Sequence, residues 1–214
     1  LPESASLYGN SVVQVFYNIC NSLTTLTIGQ EAVSGFNGCE ELSTVTLQDS
    51  VKQIGTNAFS NTPSLKSIEL PSSLESIGNS AFYGSGIRSL DIPDTVTSIG
   101  ASAFRDSDLT SITLPDGLTI ISNNLFQGAS ELTEIDIPDS VTTIGPYAFI
   151  GTGLTEIDLP ADLASVGSSA FEGIAFTELL LPESLISVGS KAFNGTQITS
   201  LLIPDSVQSL GSWS

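Results

Sequence analysis

The stretch "IPDSVTTIGPYAF", residues 137–149, decides the fold of this chain because closely similar versions of it recur along the sequence. The same positions carry "IPDTVTSIGASAF" from Ile92 and "LPESLISVGSKAF" from Leu181. A step of 22 or 23 residues separates the prolines at 71, 93, 115, 138, 160, 182 and 204, and also the phenylalanines at 36, 59, 82, 104, 126, 149, 171 and 193. Self-similarity at a fixed period predicts a stack of similar coils.

A second pattern lies between each phenylalanine and the next proline. It appears as "LTSITLP" at 109–115, "LTEIDIP" at 132–138 and "LTEIDLP" at 154–160, with the form L-x-x-L-x-L. At this period the run is the signature of a leucine-rich repeat, in which each coil contributes one short strand to a parallel sheet. Apolar residues two apart point to one face of that strand, so stacked coils are expected to bury them.

The other constant residues have roles in the same geometry. Each proline is expected to mark a corner after the strand, because proline cannot donate to a sheet ladder. A second β-prone run follows, such as "SVTTIG" at 140–145, and its closing glycine is expected to take a positive φ. The recurring phenylalanines are expected to stack as buried rings from coil to coil.

The whole pattern, "LTxIxIPDSVTxIGxxAFxG", resembles the BspA-like leucine-rich repeats of bacterial and protist surface proteins over roughly residues 42 to 214. The resemblance implies a mainly β, right-handed solenoid with a parallel sheet on the concave face and short turns on the convex side. It also implies a non-enzymatic protein-binding or adhesion module that is secreted or displayed at the cell surface. No catalytic residues come with this family.

The repeat spacing predicts a single solenoid over residues 1–214, with irregular N-terminal coils or a cap at 1–48 and regular repeats at 49–214. No apolar run approaches the ~18 to 20 residues that span a bilayer, so membrane insertion is not expected. The chain starts at "LPES" without a signal peptide and stops within a coil, which suggests an excised piece of a longer protein.

The charge balance is strongly acidic, with 5 basic and 23 acidic residues, a formal net charge of −18. Nucleic acid is excluded as a partner because its binding depends on neutralising phosphates with lysine and arginine. An anionic membrane surface would also repel the chain. Residues 1–107 hold 4 basic and 10 acidic residues, and residues 108–214 hold 1 and 13, so the negative field deepens toward the C-terminus.

Cys20 and Cys39 occupy nearly the same place on consecutive irregular coils. Stacked strands lie ~4.7 to 4.9 Å apart, which brings such a pair within reach of a disulfide; two free buried thiols are the alternative. A zinc site is not expected, because the chain has no histidine and no third cysteine. The absence of histidine also removes nucleophile–histidine catalysis, and no enzyme activity or cofactor is expected.

The residues between the buried columns are expected to form the recognition surface. Five of them are acidic and fall on neighbouring rungs: Glu134, Asp136, Glu156, Asp158 and Glu178. Like charges that face each other across strands are destabilising, which favours a basic protein segment as the partner. Calcium is the second choice, since carboxylate oxygens are its ligands. A merely solvated acidic face is the third interpretation.

The outward column becomes apolar at Leu180 and Leu202, while Phe176 replaces a usual leucine and Ile186 a usually polar residue. The sequence therefore predicts an apolar contact patch of Leu180, Leu202 and Ile186. The alternative is that a further coil shields this end of the solenoid.

Asn194, in the sequon "NGT" at 194–196, is a candidate glycosylation site for a eukaryotic source. Two other functions stay open: a structural spacer or subunit of a larger assembly, and an ice-binding scaffold. The second strands are rich in Ser and Thr, as ice binding would require, but Ile120, Ala164 and Gln208 interrupt that ladder.

Overall fold

In the computed structural model of the chain, residues 4–8 and 20–213 are described. These residues form short parallel strands joined by turns, with one 3₁₀ turn at Cys20–Ser22. The strands are β1 (Ser4–Tyr8), β2 (Thr25–Gly29), β3 (Ala32–Val33), β4 (Thr44–Leu47), β5 (Gln53–Ile54), β6 (Ser76–Ile77), β7 (Ser89–Asp91), β8 (Ser98–Ile99), β9 (Ser111–Thr113), β10 (Ile120–Ile121), β11 (Thr143–Ile144), β12 (Ser165–Val166), β13 (Ser187–Val188) and β14 (Ser209–Leu210). The predicted mainly β leucine-rich repeat solenoid is confirmed.

The strands of the solenoid fall into two columns. The concave column holds the L-x-x-L-x-L runs and pairs β1–β2–β4 and β7–β9, with a bridge from Thr46 to Glu69. The second column follows the proline corner and pairs β3–β5–β6–β8 and β10 through β14. Regular pairing in the concave column ends at Thr113 within the described residues, whereas the second column continues to Leu210. The second column, which follows the proline corner, is therefore longer than the concave column that the L-x-x-L-x-L pattern predicted.

The core is one cluster of buried residues that extends from Cys20 to Phe193. At its centre the recurring phenylalanines stack, with ring centroids of successive coils 5.2 to 5.8 Å apart and nearly parallel planes. The closest pair is Phe149 and Phe171, at 5.2 Å. Offset stacking of this kind adds to the burial of large rings, which explains why phenylalanine recurs.

Each proline forms the predicted corner. The carbonyl of Pro138 accepts a hydrogen bond from the Val141 amide at 3.0 Å, and Pro182 and Leu185 are related in the same way. This bond closes a four-residue turn between the L-x-x-L-x-L run and the second strand. Because proline stands first in the turn, its missing N–H costs the structure no hydrogen bond there.

The glycines that close the second strands were expected to take a positive φ, and this prediction is wrong. They are needed because the backbones of neighbouring coils come very close: a Cβ at Gly167 would lie 2.3 Å from the nitrogen of Pro146. A Cβ at Gly189 would meet the nitrogen of Ser168 at the same distance. The close approach also allows the amide of Gly167 to bond the carbonyl of Ile144 at 2.8 Å.

Positive φ angles occur instead at the position before each Ala-Phe or Leu-Phe pair and at its equivalent, Trp213. This left-handed column, with φ between 52° and 60°, consists of Asn57, Ser80, Ser102, Asn124, Tyr147, Ser169, Lys191 and Trp213. A second positive-φ position follows two residues after the phenylalanine and is usually glycine, as at Gly151. Each coil thus turns back toward its phenylalanine through left-handed backbone.

At the N-terminal end, the sulfur atoms of Cys20 and Cys39 are bonded, and their Cα atoms lie 4.4 Å apart. Both cysteines are buried against the core. The predicted cap also includes residues 1–3 and 9–19, which lie outside the described residues. Across the part of the chain that the structure describes, no helix is long and apolar enough to cross a membrane.

Candidate functional site

The outward side chains of the L-x-x-L-x-L runs lie exposed, as the alternation predicted. Glu134 and Asp136 flank the partly buried Ile135, and Glu156 and Asp158 flank the partly buried Ile157. Glu178, on the next coil, is exposed in the same column as Glu134 and Glu156. We call these five carboxylates the acidic ladder; by the repeat register they occupy three successive rungs of the concave face.

The acidic ladder has no counter-charge. Within residues 4–8 and 20–213, no lysine or arginine forms an ion pair with any of its members. Four of the five basic residues form ion pairs elsewhere; for example, Lys52 lies 3.7 Å from both Glu31 and Glu75, and Lys66 lies 3.1 Å from Asp108. Among the described residues, no basic side chain therefore compensates the negative charge of these three rungs.

One earlier pair of rungs on the same face joins an acid to a hydroxyl. There the Thr113 hydroxyl donates to Asp91 Oδ1 across one rung, at 2.8 Å. In the acidic ladder the rung neighbour of Asp136 is Asp158, which has no hydroxyl to donate. Five acids on three successive rungs, rather than a single acid–acid pair such as Glu69 and Asp91, make the acidic ladder a candidate binding surface.

The calcium interpretation finds no support in the geometry. In the described part of the chain, no group of three or more Cys, Asp or Glu side chains is close enough together to hold a metal ion. A calcium site takes about six to eight oxygen ligands, far more than the ladder assembles at one point.

The predicted apolar patch is divided between two faces. Leu180 and Leu202 are 81% and 76% exposed and occupy the same outward concave column. Ile186 lies beyond the Pro182 corner in the second strand column, where its amide bonds the carbonyl of Ala164. Phe176 is fully buried, with its ring tilted against Phe171 at 5.6 Å, so it belongs to the core.

A shallow groove of about 510 Å³ lies on the turns after the second strands, away from the concave column. We call it the turn groove; it is lined by Tyr147, Ser168, Ser169, Glu172, Ser190, Lys191, Ser212 and Trp213. Backbone bonds across the coils hold its shape, for example from the Tyr147 amide to the Ser168 carbonyl at 3.0 Å and from Lys191 to Ser212 at 2.9 Å.

Glu172 lies on the turn groove and is held by three neighbours. Hydrogen bonds from the Ser169 side chain and the Asn194 amide, with a smaller attraction from Lys191, keep the pKa of this carboxyl below its ordinary value of 4.5, against an opposing effect of burial. Asn194 Nδ2 donates to Glu172 Oε1 at 2.9 Å. The candidate glycosylation nitrogen is therefore already used within the fold, and glycosylation of Asn194 stays a prediction.

The repeat period, the stacked phenylalanines and the parallel strands all point to one family. The model of the BspA type leucine rich repeat region matches in 6 copies over residues 12–132 and 97–214. The chain belongs to the BspA-type leucine-rich repeat family. No curated protein sequence matches it.

Among solved structures, these BspA-type repeats are similar to a leucine-rich repeat protein from Bacteroides ovatus, with 31% identity over 90% of this chain and a TM-score of 0.84. The chain spans about half, 52%, of that structure. The T. pallidum leucine-rich repeat protein shares 26% identity over 79% of this chain and 69% of its own, with a TM-score of 0.55. The pneumococcal vaccine antigen PcpA shares the fold, with a TM-score of 0.57 and 22% sequence identity. The match covers 96% of this chain and 62% of PcpA.

The turn groove was not anticipated from the BspA-type pattern. The sequence feature that marks the groove lies in the left-handed column. Most coils have Asn or Ser at this position, but three C-terminal coils have Tyr147, Lys191 and Trp213. The letters show that these three residues depart from the repeat, but only the structure shows that their backbone is left-handed.

Proposed function

We propose that this BspA-type solenoid is a non-enzymatic protein-binding or adhesion module whose acidic ladder holds a basic segment of a partner protein. The observation that carries the proposal is the exposure of five carboxylates on three rungs without a basic side chain beside them. Leucine-rich repeat solenoids provide extended surfaces of this kind for partner proteins.

Electrostatics supports a basic partner. Like charges on adjacent rungs repel, and this repulsion is screened only by salt in the free protein. A partner segment that carries lysine or arginine would replace the salt ions and relieve the repulsion. The formal net charge of −18 would also attract such a segment from a distance and increase its association rate.

We also propose that the protein works outside the cell or at its surface. The bond between Cys20 and Cys39 supports this location, because structural disulfides persist mainly in oxidising compartments. The BspA-type repeats support it further, since members of the family are commonly secreted or surface-displayed.

The test is a selection of displayed peptides on the immobilised protein, followed by binding measurements with two matched variants. The first variant neutralises the acidic ladder with Glu134→Gln, Asp136→Asn, Glu156→Gln, Asp158→Asn and Glu178→Gln. The control removes the same charge from exposed turn residues with Glu40→Gln, Glu41→Gln, Asp49→Asn, Glu131→Gln and Asp139→Asn.

We expect the selected peptides to be rich in lysine and arginine and to bind the control but not the neutralised ladder. Peptides that bind both variants equally would show attraction to net charge rather than to the concave face. A failure to select any peptide would favour the spacer or assembly-subunit alternative instead.

A further inference from the structure

We propose that the turn groove binds a neutral oligosaccharide. This site is separate from the acidic ladder, since it is built by the turns that follow the second strands. Three features of its lining support the proposal: strained positions occupied by large side chains, aromatic faces open to solvent, and a polar floor without net charge.

The first feature is the residues chosen for the left-handed column. Tyr147, Lys191 and Trp213 have φ angles of 59°, 58° and 60°, a conformation that bulky side chains adopt at a higher cost than asparagine. The same position holds Asn57 and Ser80 in other coils at the same angles. Because the fold accepts Asn or Ser here, packing does not explain the large side chains, and such outliers are typical of functional sites.

The second feature is the pair of exposed aromatic rings. Tyr147, in the interior of the stack, is 44% exposed, and Trp213 holds the equivalent position three coils later, on either side of the coils that carry Ser169 and Lys191. Three coil steps of ~4.8 Å separate the two residues along the solenoid, or about 14 Å. The apolar face of a sugar ring can stack on each aromatic face, and one monosaccharide cannot reach both. The spacing therefore fits a short oligosaccharide.

The third feature is the polar floor. Lys191 Nζ lies 4.0 Å from Glu172 Oε1, so the groove carries one positive and one negative charge together. Because these two opposite charges compensate each other, the floor of the groove suits a neutral ligand, and the overall negative field would repel an anionic one. The ammonium donates, the carboxylate accepts, and the hydroxyls of Ser168 and Ser190 can do both, which matches the alternating donors and acceptors of sugar hydroxyls.

An equivalent groove on N-terminal coils provides an internal control. It is lined by Asn and Ser at the left-handed positions, with one aromatic residue, Tyr83. The Arg105 guanidinium lies over the Tyr83 ring, 5.8 Å from its centroid. One face of this ring is already occupied, and among the described residues no second aromatic side chain lines the groove, so it lacks the features that define the turn groove.

The proposal can be tested with a printed array of neutral and sialylated glycans, followed by fluorescence titration. Trp213 is the single tryptophan of the sequence, so its emission reports directly on the turn groove. Titrations would use cellotriose, maltotriose and chitotriose together with any neutral glycan that the array identifies. The variants are Tyr147→Ser, which restores a residue that the column uses elsewhere, and the control Tyr83→Ser.

We expect at least one neutral oligosaccharide to change the Trp213 emission saturably. Loss of one stacking ring in Tyr147→Ser should weaken this binding about tenfold, while Tyr83→Ser leaves it unchanged. Tyr147→Ser should melt no lower than the parent, because serine suits the left-handed position. No response to any neutral glycan, a preference for sialylated glycans, or undiminished binding by Tyr147→Ser would each overturn the proposal.

Discussion

The side-chain amide of Asn194 donates a hydrogen bond to Glu172 Oε1 across one coil step, at 2.9 Å. The Ser169 side chain makes the larger contribution to the lowered pKa of Glu172, and Asn194 makes the next. Both bonds favour the charged carboxylate, so they stabilise the folded state only while Glu172 is ionised.

Asn194→Ala should therefore raise the pKa of Glu172 toward 4.5, its ordinary value. Because the folded-state pKa is depressed, the stabilisation is present above the unfolded value and is lost as the pH falls through the folded value. The variant should lose stability relative to the parent at neutral pH and converge with it in acid. Carbon-detected NMR titration of Glu172 and urea unfolding at several pH values measure the two effects.

Thr196→Ala is the matched control, because it removes the same glycosylation sequon and leaves the Asn194 amide in place. Its Glu172 titration should coincide with that of the parent. An unchanged pKa in Asn194→Ala would show that the amide does not hold the carboxylate.

The phenylalanine stack predicts a large and local stability loss on truncation. Phe149 is fully buried between Phe126 and Phe171, at 5.5 and 5.2 Å. Phe149→Ala should cost about 3 to 5 kcal/mol, as for other buried large-to-small changes. Since each coil contacts mainly its neighbours, hydrogen exchange should increase first in the coils around residue 149. A uniform increase along the whole solenoid would contradict the stacked, nearest-neighbour core.

Two glycines differ sharply in what a methyl group would meet. A Cβ at Gly167 would overlap the backbone of the preceding coil, whereas nothing lies within 4 Å of a Cβ at Gly117. Gly167→Ala should destabilise by about 1 to 3 kcal/mol through overpacking. Gly117→Ala should be neutral or stabilising by up to about 1 kcal/mol, because it restricts the unfolded chain. Urea unfolding measures the stability of both variants. Equal changes in the free energy of unfolding would contradict the close approach of Gly167 to the backbone of the preceding coil.

The periodic part of the sequence was sufficient to predict the solenoid, because spacing, burial and alternation repeat in every coil. Glycine was assigned the wrong role, since its sequence position cannot distinguish a positive φ from a close backbone approach. Gly167 illustrates this: its requirement comes from the nitrogen of Pro146 on another coil. Contacts between coils are visible only in the folded molecule.

The candidate sites were predictable to different extents. The alternation of the strands was enough to place Asp136 and Leu180 on the outward face, where both are exposed. The alternation alone did not show that Ile186 and Leu180 lie on different faces. The corner at Pro182 turns the chain between them, so Ile186 lies in the second strand column. The turn groove needs the φ angles of Tyr147 and Trp213, which a pattern of letters does not contain.

Leu180 and Leu202 are exposed on the concave face, which predicts that their replacement affects contacts rather than folding. The double variant Leu180→Asp and Leu202→Asp should keep the melting temperature within a few degrees of the parent, because exposed substitutions change stability by about 0.5 kcal/mol or less. It should weaken self-association or partner binding, measured by analytical ultracentrifugation and calorimetry.

The buried neighbour of Leu180 in the same run, Leu181, provides the contrast for this experiment. Leu181→Asp would place a charge in the core and should unfold the C-terminal coils. If the exposed double variant unfolds to the same extent, the two leucines belong to the core and the contact surface is wrong.

The central claim is that the acidic ladder, rather than acidity in general, receives a basic partner segment. The most direct measurement is NMR mapping of backbone amide shifts during titration with a synthetic peptide in which lysine alternates with glycine. We predict that the perturbed amides cluster at residues 134–136, 156–158 and 178–180, and that the shifts weaken as salt is added. Shifts spread evenly over acidic turns such as those of Glu40 and Asp139, or no shifts at all, would contradict it.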